Sequence, residues 1–174
     1  MNGLLTGKRI VVTGAARGLG RSFAAAISEA GARVVMCDIL ADELADSAAS
    51  LREQGAQVET QVIDLAEPAS ISAAFNAIAE GGAIDGLVNN AALATGVGGK
   101  TMMEYDIDLW DRVMQVNVRG TWLVSQAAVP LLAQTPHAKI VNVASDTALW
   151  GAPRLMAYVA SKGAIISMTR SMAR

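Results

Sequence analysis

The chain has 174 residues, 52% hydrophobic and 17% charged, with 14 Lys and Arg against 16 Asp and Glu and a formal net charge of -2. That balance excludes a disordered polyelectrolyte. The cations are scattered and read as solvated faces, which excludes a nucleic-acid surface, since phosphate binding needs clustered positive charge. The length is enough to bury one core, so a single domain over 1–174 is the expectation.

In chain order, Arg9 to Thr13 (RIVVT) reads as a buried strand and Gly18 to Ala30 as a helix closed by Gly31. Arg33 to Cys37 is a second strand, and Asp42 to Gln54 a polar-faced helix followed by Gly55. Val58 to Ile63 is a third strand, and Pro68 to Glu80 a helix stopped by Gly81-Gly82. Gly86 to Val88 leads a fourth strand into Asn89-Asn90, and a long helix follows from Ile107 to Leu132. Lys139 to Val143 is the fifth strand, and a last helix starts near Met156 and is still running at Arg174. No apolar run is long enough to span a bilayer. The amino-terminal stretch Met1 to Arg9 puts its basic residues just before a strand, the wrong order for a secretory signal, so a cytoplasmic protein is expected. Cys37, the single cysteine, cannot form an internal disulfide and reads as a small core residue rather than a reactive thiol.

Strands of buried type alternating with helices imply a parallel sheet built from right-handed crossovers, a doubly wound α/β fold. Ligands in such sheets sit at the carboxyl edge. The one irregular stretch, Leu93 to Glu104, is rich in glycine and small residues and falls at that edge after the fourth strand.

The first βα turn reads Thr13-Gly14-Ala15-Ala16-Arg17-Gly18-Leu19-Gly20. Its glycines let the backbone turn sharply and let a phosphate approach the helix N-terminus, where free N–H groups and the dipole favour an anion. The spacing is G-x-x-x-G-x-G rather than the generic G-x-G-x-x-G, so the turn counts through its place in a βα unit. Asp38 follows the second strand, 24 residues beyond Gly14. A carboxylate there accepts hydrogen bonds from ribose hydroxyls and repels a 2′-phosphate, although an ordinary turn aspartate has the same appearance. Arg17 pulls the other way, because it can pair with a 2′-phosphate, while Ile39 supplies no second cation. The balance favours NAD over NADP.

The second constellation is Ser145, Tyr158 and Lys162. Tyr158-Val159-Ala160-Ser161-Lys162 puts a phenol and an amine at i and i+4 on one helix face. A phenol titrates near ~10 and is a poor base at neutrality, but a neighbouring ammonium favours the phenolate. Ser145 closes a strand at the carboxyl edge, where its hydroxyl can hold a carbonyl or alkoxide oxygen. Alone, YxxxK is a frequent surface pair; beside the glycine turn it carries more weight.

Together these residues resemble the short-chain dehydrogenase/reductase family, and the resemblance runs to Arg174 with no long unmatched region. TGAARGLG (13–20), with Gly14, Ala16, Arg17, Gly18, Leu19 and Gly20, is similar to the family's cofactor turn. Asp64-Leu65 matches its adenine-ring position, and Asn89-Asn90-Ala91-Ala92 resembles its NNAG. Asn117 stands where the family has a catalytic asparagine, and Ser145 and Tyr158 lie 13 apart as they do there. The resemblance implies a Rossmann fold and an oxidoreductase moving a hydride between NAD(H) and a secondary alcohol or ketone. In that reading Tyr158 is the general acid/base, Ser145 polarises the substrate oxygen, and Lys162 binds the nicotinamide ribose and lowers the tyrosine pKa. Asn117 supports a proton-relay water, and Asn90 with Ala91 steadies the cofactor-facing backbone. Without the resemblance, Asn117 is a kink or a solvated polar spot in a helix.

Two departures stand out. Ala92 replaces the glycine of NNAG, which is harmless only if its φ is negative. The family's sixth and seventh strands, its proline-glycine turn and its helical flap have no counterpart before Arg174. The last helix also meets no Gly, Asn or Pro stop, so the natural chain is expected to continue. A dinucleotide-binding chain without turnover is the competing reading, and a nucleotide-sugar epimerase is disfavoured by the G-x-x-x-G-x-G turn. His137 reads as an exposed loop residue with no metal site around it. Glu104, Asp106, Asp108 and Asp111 read as a helix-capping, solvated stretch, and Met102-Met103 and Trp150 as pocket lining or packing. Apolar residues all round the helix after Ile107 need covering, and the family implies a homodimer or homotetramer joined there and through the last helix.

Overall fold

Five short runs rich in β-branched residues pair into one parallel sheet. They are β1 (Arg9–Thr13), β2 (Arg33–Asp38), β3 (Val58–Val62), β4 (Gly86–Asn89) and β5 (Lys139–Asn142), in the order β3-β2-β1-β4-β5. The structure is a computed structural model that describes residues 3–174; Met1 and Asn2, part of the amino-terminal stretch read above, lie outside them. Each parallel pair requires a crossover, supplied by α1 (Gly18–Glu29), α2 (Ala41–Glu53), α3 (Pro68–Glu80) and the long helical stretch after β4. The chain winds outward from β1 to β3, then returns beside β1 and winds the other way through β4 and β5. That reversal opens a crevice at the carboxyl ends of β1 and β4.

Alternating side chains divide the core between the two faces of the sheet. Val11, Val35 and Leu87 pack with Phe75 and Ile78 of α3 and with Val124, Ala128 and Leu131 on one face. Val12, Val34 and Met36 pack with Ala24 of α1 and Leu44, Ala48 and Leu51 of α2 on the other. Cys37 is fully buried, and burial, with the charge of Asp38 second, pushes its thiol up to about 12, as expected of a core residue. Among the described residues, no helix is long and apolar enough to cross a membrane.

The structure departs from the sequence reading in one long helix, in one added short helix and in element ends shifted by a residue or so. The helix read from Ile107 to Leu132 is three segments: α4 (Ile107–Met114), a π-helical turn (Gln115–Gly120) and α5 (Thr121–Leu132). A Cβ on Gly120 would lie 2.7 Å from the Leu65 carbonyl oxygen, so the turn passes the end of β3 closer than any side chain permits. Apolar residues lie all round this stretch, so the phase shift of a π turn leaves no visible break, which is why the pattern read as one helix. A four-residue helix, α6 (Thr147–Trp150), follows Ser145, where no element was expected. The strands β3 and β5 each end one residue early, although the N–H groups of Ile63 and Val143 still donate to Asp38 and Asn89. The last helix, α7, spans Met156–Met172.

Not every cation is solvated. Arg9 is 2% exposed and donates to both carboxylate oxygens of Glu59 and to the carbonyls of Ile78 and Gly82. It ties β1 to β3 and caps the C-terminal carbonyls of α3, the partnering that lets a charge sit inside. The edge strand β5, by contrast, leaves Val141 53% exposed.

Candidate active site

The crevice is closed at its base by a knot between β1 and β4. The Thr13 hydroxyl accepts the N–H groups of Asn90 and Ala91 at 3.0 and 3.1 Å. Asn90 Nδ2 returns two bonds, to the carbonyls of Thr13 and Gly14 at 3.0 and 3.1 Å. The glycine turn therefore lies directly against the end of β4. A Cβ on Gly20 would overlap the Gly14 carbonyl oxygen and lie 2.6 Å from Asn90 Nδ2, so only glycine lets α1 start here.

Beyond the knot, α1 begins at Gly18 with Arg17 in the N-cap position, no side-chain cap and no acidic residue in the first turn. Its first N–H groups thus have no capping side chain, and Arg17, Gly18 and Leu19 are exposed around them while Ala16 and Gly20 are buried. Asp38 is buried, its carboxylate accepting the N–H of Ala16 at 2.9 Å and of Leu40 at 3.1 Å. Ser47 of α2 donates to the Ala16 carbonyl, fixing the turn from the other side. Arg17 pairs with Glu43 of α2 at 3.5 Å, both side chains being exposed. Asp64, half-buried after β3, folds back on the N–H of Ala66 at 2.8 Å, and Leu65 is buried beside the π turn. Ala92 carries no positive φ, so the alanine costs the backbone nothing at that position.

Ser145, Tyr158 and Lys162 gather at the carboxyl end of β5. The Lys162 ammonium lies 5.7 Å from the centre of the Tyr158 ring and donates to the Val143 carbonyl at 2.6 Å, two residues before Ser145. Lys162 is 4% exposed, and burial lowers its pKa from the ordinary lysine value. Ser145 Oγ lies 2.8 Å from Thr147 Oγ1 and accepts the Thr147 N–H at 3.3 Å. Asn117, fully buried in the π turn, accepts the Leu93 N–H at 2.7 Å and donates to the Leu93 carbonyl and to Ser161 Oγ, each at 3.1 Å. Its amide thereby clamps the loop after β4 to the residue preceding Lys162. Its own carbonyl receives the Thr121 hydroxyl at 2.8 Å.

Sequence reasoning passed over Thr13, Ser161, Glu43 and Thr147. Thr13 was visible as a hydroxyl on the last residue before the glycine turn, and Thr147 as a hydroxyl two residues after Ser145, a spacing that favours local side-chain to backbone bonds. Nothing in the sequence pairs Ser161 with Asn117 or Glu43 with Arg17. The loop from Leu93 to Glu104 is fastened to the α6–α7 connection by the Gly99 N–H, which donates to the Arg154 carbonyl at 2.8 Å. Met102, Met103 and Trp150 are exposed along this rim. Asp106 caps α4 by accepting the Leu109 N–H at 2.9 Å, as the acidic stretch suggested. His137 is exposed, and among the described residues no three His, Cys, Asp or Glu side chains cluster as metal ligands.

The family model for short chain dehydrogenase matches residues 8–174. The chain is 37% identical to 2-(S)-hydroxypropyl-CoM dehydrogenase 3 of Xanthobacter autotrophicus, covering 99% of this chain and 67% of that one. It is 34% identical to a 3-alpha-(or 20-beta)-hydroxysteroid dehydrogenase of Mycobacterium bovis, covering 99% and 65%. NAD+-bound xylitol dehydrogenase superposes with a TM-score of 0.91 at 31% identity, covering 98% of this chain and 65% of that one. A short chain dehydrogenase from Escherichia coli complexed with NADPH also superposes at 0.91, with 32% identity and coverages of 98% and 72%. The chain belongs to the short-chain dehydrogenase family of oxidoreductases, with its Rossmann-type α/β fold, and it spans about two thirds of the length of the curated relatives it matches.

The buried Lys162 makes a pH prediction. Burial disfavours its ammonium, so the fold bears a cost while the group stays charged, and the cost is relieved as pH rises through the lowered folded pKa toward the ordinary lysine range. Relative to Lys162→Met, the native chain should therefore gain stability as pH rises above neutrality. Urea unfolding of both proteins at stepped pH checks this, and a pH-independent difference contradicts it.

Proposed function

We propose that this protein transfers a hydride between NAD(H) and a secondary alcohol or ketone, with Tyr158 as the general acid and base. The observation that supports the reading most is the meeting at one sheet edge of the Lys162 ammonium, 5.7 Å from the Tyr158 ring, with Ser145 and the knotted glycine turn. The residues fit a nicotinamide dinucleotide. The uncapped start of α1 suits a pyrophosphate, because free N–H groups and the helix dipole favour an anion there. Asp38, already held by two N–H groups, keeps acceptor capacity for ribose hydroxyls. Asp64-Leu65 flanks the adenine side, while Asn90 and Ala91 keep the nicotinamide side of the crevice in register.

Bound there, the nicotinamide ring supplies or takes up the hydride. In reduction, Tyr158 Oη gives a proton to the substrate oxygen, and in oxidation it removes one. Ser145 Oγ donates a hydrogen bond to the same oxygen and holds it while its charge changes. The Lys162 ammonium, beside the Tyr158 ring, would donate to the nicotinamide ribose and hold the cofactor next to the phenol. Asn117 keeps Leu93 and Ser161 in register, which sets the loop after β4 against α7, and in this reading it supports a relay water.

NAD is the favoured cofactor. Arg17, the one cation of the glycine turn, is already paired with Glu43, and Asp38 repels a 2′-phosphate. The Arg17–Glu43 pair is exposed and worth ~0–1 kcal/mol, so the carboxylate of Asp38 carries most of the preference. Removing that charge in Asp38→Asn should raise kcat/KM with NADP relative to NAD by about tenfold, a change of ~1.4 kcal/mol. A wild-type protein that already prefers NADP would overturn the assignment.

Purified protein with NAD and a panel of secondary alcohols, followed by NADH absorbance, tests the reaction itself. Tyr158→Phe should lower turnover about 10²- to 10⁴-fold and leave NADH affinity nearly unchanged. NADH binding with no alcohol oxidised would favour a dinucleotide-binding chain without turnover.

The active form is a homodimer or homotetramer in this reading. A groove lined by Met114, Val118, Trp122 and Met168, with Asp111, Gln115 and Arg119 among them, runs between the α4–α5 stretch and α7, and Trp122 is 49% exposed there. A second copy of the chain covers that groove. Light scattering at micromolar concentration should give an oligomer, and a stable monomer would remove this part of the proposal.

A further inference from the structure

Ser145 and Thr147 form a pair of hydroxyls that the sequence reading left unconnected. Their oxygens lie 2.8 Å apart, a distance at which one must donate to the other. The Thr147 N–H also reaches Ser145 Oγ, at 3.3 Å. A hydroxyl has one proton and two lone pairs. We propose that Thr147 is a positioning residue for Ser145, giving its hydroxyl proton to Ser145 Oγ so that the serine's own proton is left for the substrate oxygen. The inference rests on the reading of Ser145 given above.

The direction of that bond decides what the serine can do. With Thr147 donating through both N–H and O–H, the acceptor sites of Ser145 Oγ are filled and its rotor is fixed. The remaining proton points away from Thr147, and a hydroxyl that already accepts is a better donor. With the direction reversed, the serine proton is tied to Thr147 and the substrate oxygen loses its donor. The other acceptor beside Ser145 is Asp146 Oδ1, at 3.5 Å on an exposed side chain, where water competes for it. The three residues stand at the end of β5 and the start of α6, so backbone geometry holds the two hydroxyls together.

The test compares Thr147→Val, Thr147→Ser, Ser145→Ala and the double variant Ser145→Ala/Thr147→Val in the full chain. The probe is whichever of 2-butanol, cyclohexanol and 1-phenylethanol is oxidised fastest with NAD. Thr147→Val should lower kcat about tenfold, the upper end of what one hydrogen bond contributes, with KM and NADH affinity within about twofold. Thr147→Ser, which keeps the hydroxyl, should recover most of that loss. On the Ser145→Ala background, Thr147→Val should cost nothing further, because the proton it supplies has no recipient. Losses that add instead would mean that Thr147 acts on the substrate independently, and overturn the proposal. So would a fully active Thr147→Val beside an impaired Ser145→Ala. A fully active Ser145→Ala would instead sink the role of Ser145 itself. Neutron diffraction of the deuterated protein reads the pair without any substrate. A deuteron on Thr147 Oγ1 aimed at Ser145 Oγ is expected, and a Ser145 deuteron aimed at Thr147 overturns the inference.

Discussion

Four hydrogen bonds between the end of β1 and the end of β4 hold the molecule together at the point where its winding reverses. The Thr13 hydroxyl accepts the backbone N–H groups of Asn90 and Ala91, and the Asn90 amide donates to the carbonyls of Thr13 and Gly14. A parallel sheet has no pairing past its last residues, and polar backbone left there would stand open to water. Here the knot satisfies those groups. It also fixes the glycine turn, whose Gly20 lies so close to the Gly14 carbonyl and to Asn90 that no larger residue fits. The uncapped start of α1 is aimed by that constraint, with Gly20 as the helix residue that permits the approach.

The other half of the crevice is aimed by a second clamp. Asn117 in the π turn grips the backbone of Leu93 and the hydroxyl of Ser161. Lys162, next along α7, crosses to the Val143 carbonyl at the end of β5. The loop after β4, the helix α7 and the strand β5 are thereby set against one another by polar bonds that are buried or partly buried, and such bonds strengthen as water is excluded. The extra residue of the π turn brings Gly120 against Leu65 and turns Asn117 inward in the same step.

What the sequence made legible was whatever depends on local pattern. The strands announced themselves as β-branched runs between glycine stops, and their alternation with helices implied the parallel, doubly wound sheet. Gly14, Gly18 and Gly20 marked the turn because a backbone that bends this sharply admits few residues, and Tyr158 and Lys162 share a face because the helical period requires it. What stayed hidden depends on the approach of distant segments. The π turn exists where the long helix meets Leu65, and hydrophobic spacing is nearly blind to it. Arg9 read as one more solvated cation, yet it lies buried because Glu59 and two carbonyls of the α3 terminus, all distant from it in the sequence, converge on it. Asn117 was singled out only through a family resemblance, since a helical asparagine has no local signature. Its grip on Leu93 and Ser161 is a tertiary fact.

In the proposed function, a dinucleotide sits at the knotted carboxyl edge of β1 and β4. Amide hydrogen exchange with and without NADH tests it most directly, because it reads each backbone N–H and needs no knowledge of the substrate. Exchange should slow on NADH addition at Arg17 to Gly20, at Ile39 and Leu40 beside Asp38, and at Ala91 to Leu93, with the opposite edge of the sheet unchanged. NADH that binds without protecting those amides, or that protects the amino-terminal edge instead, would contradict it.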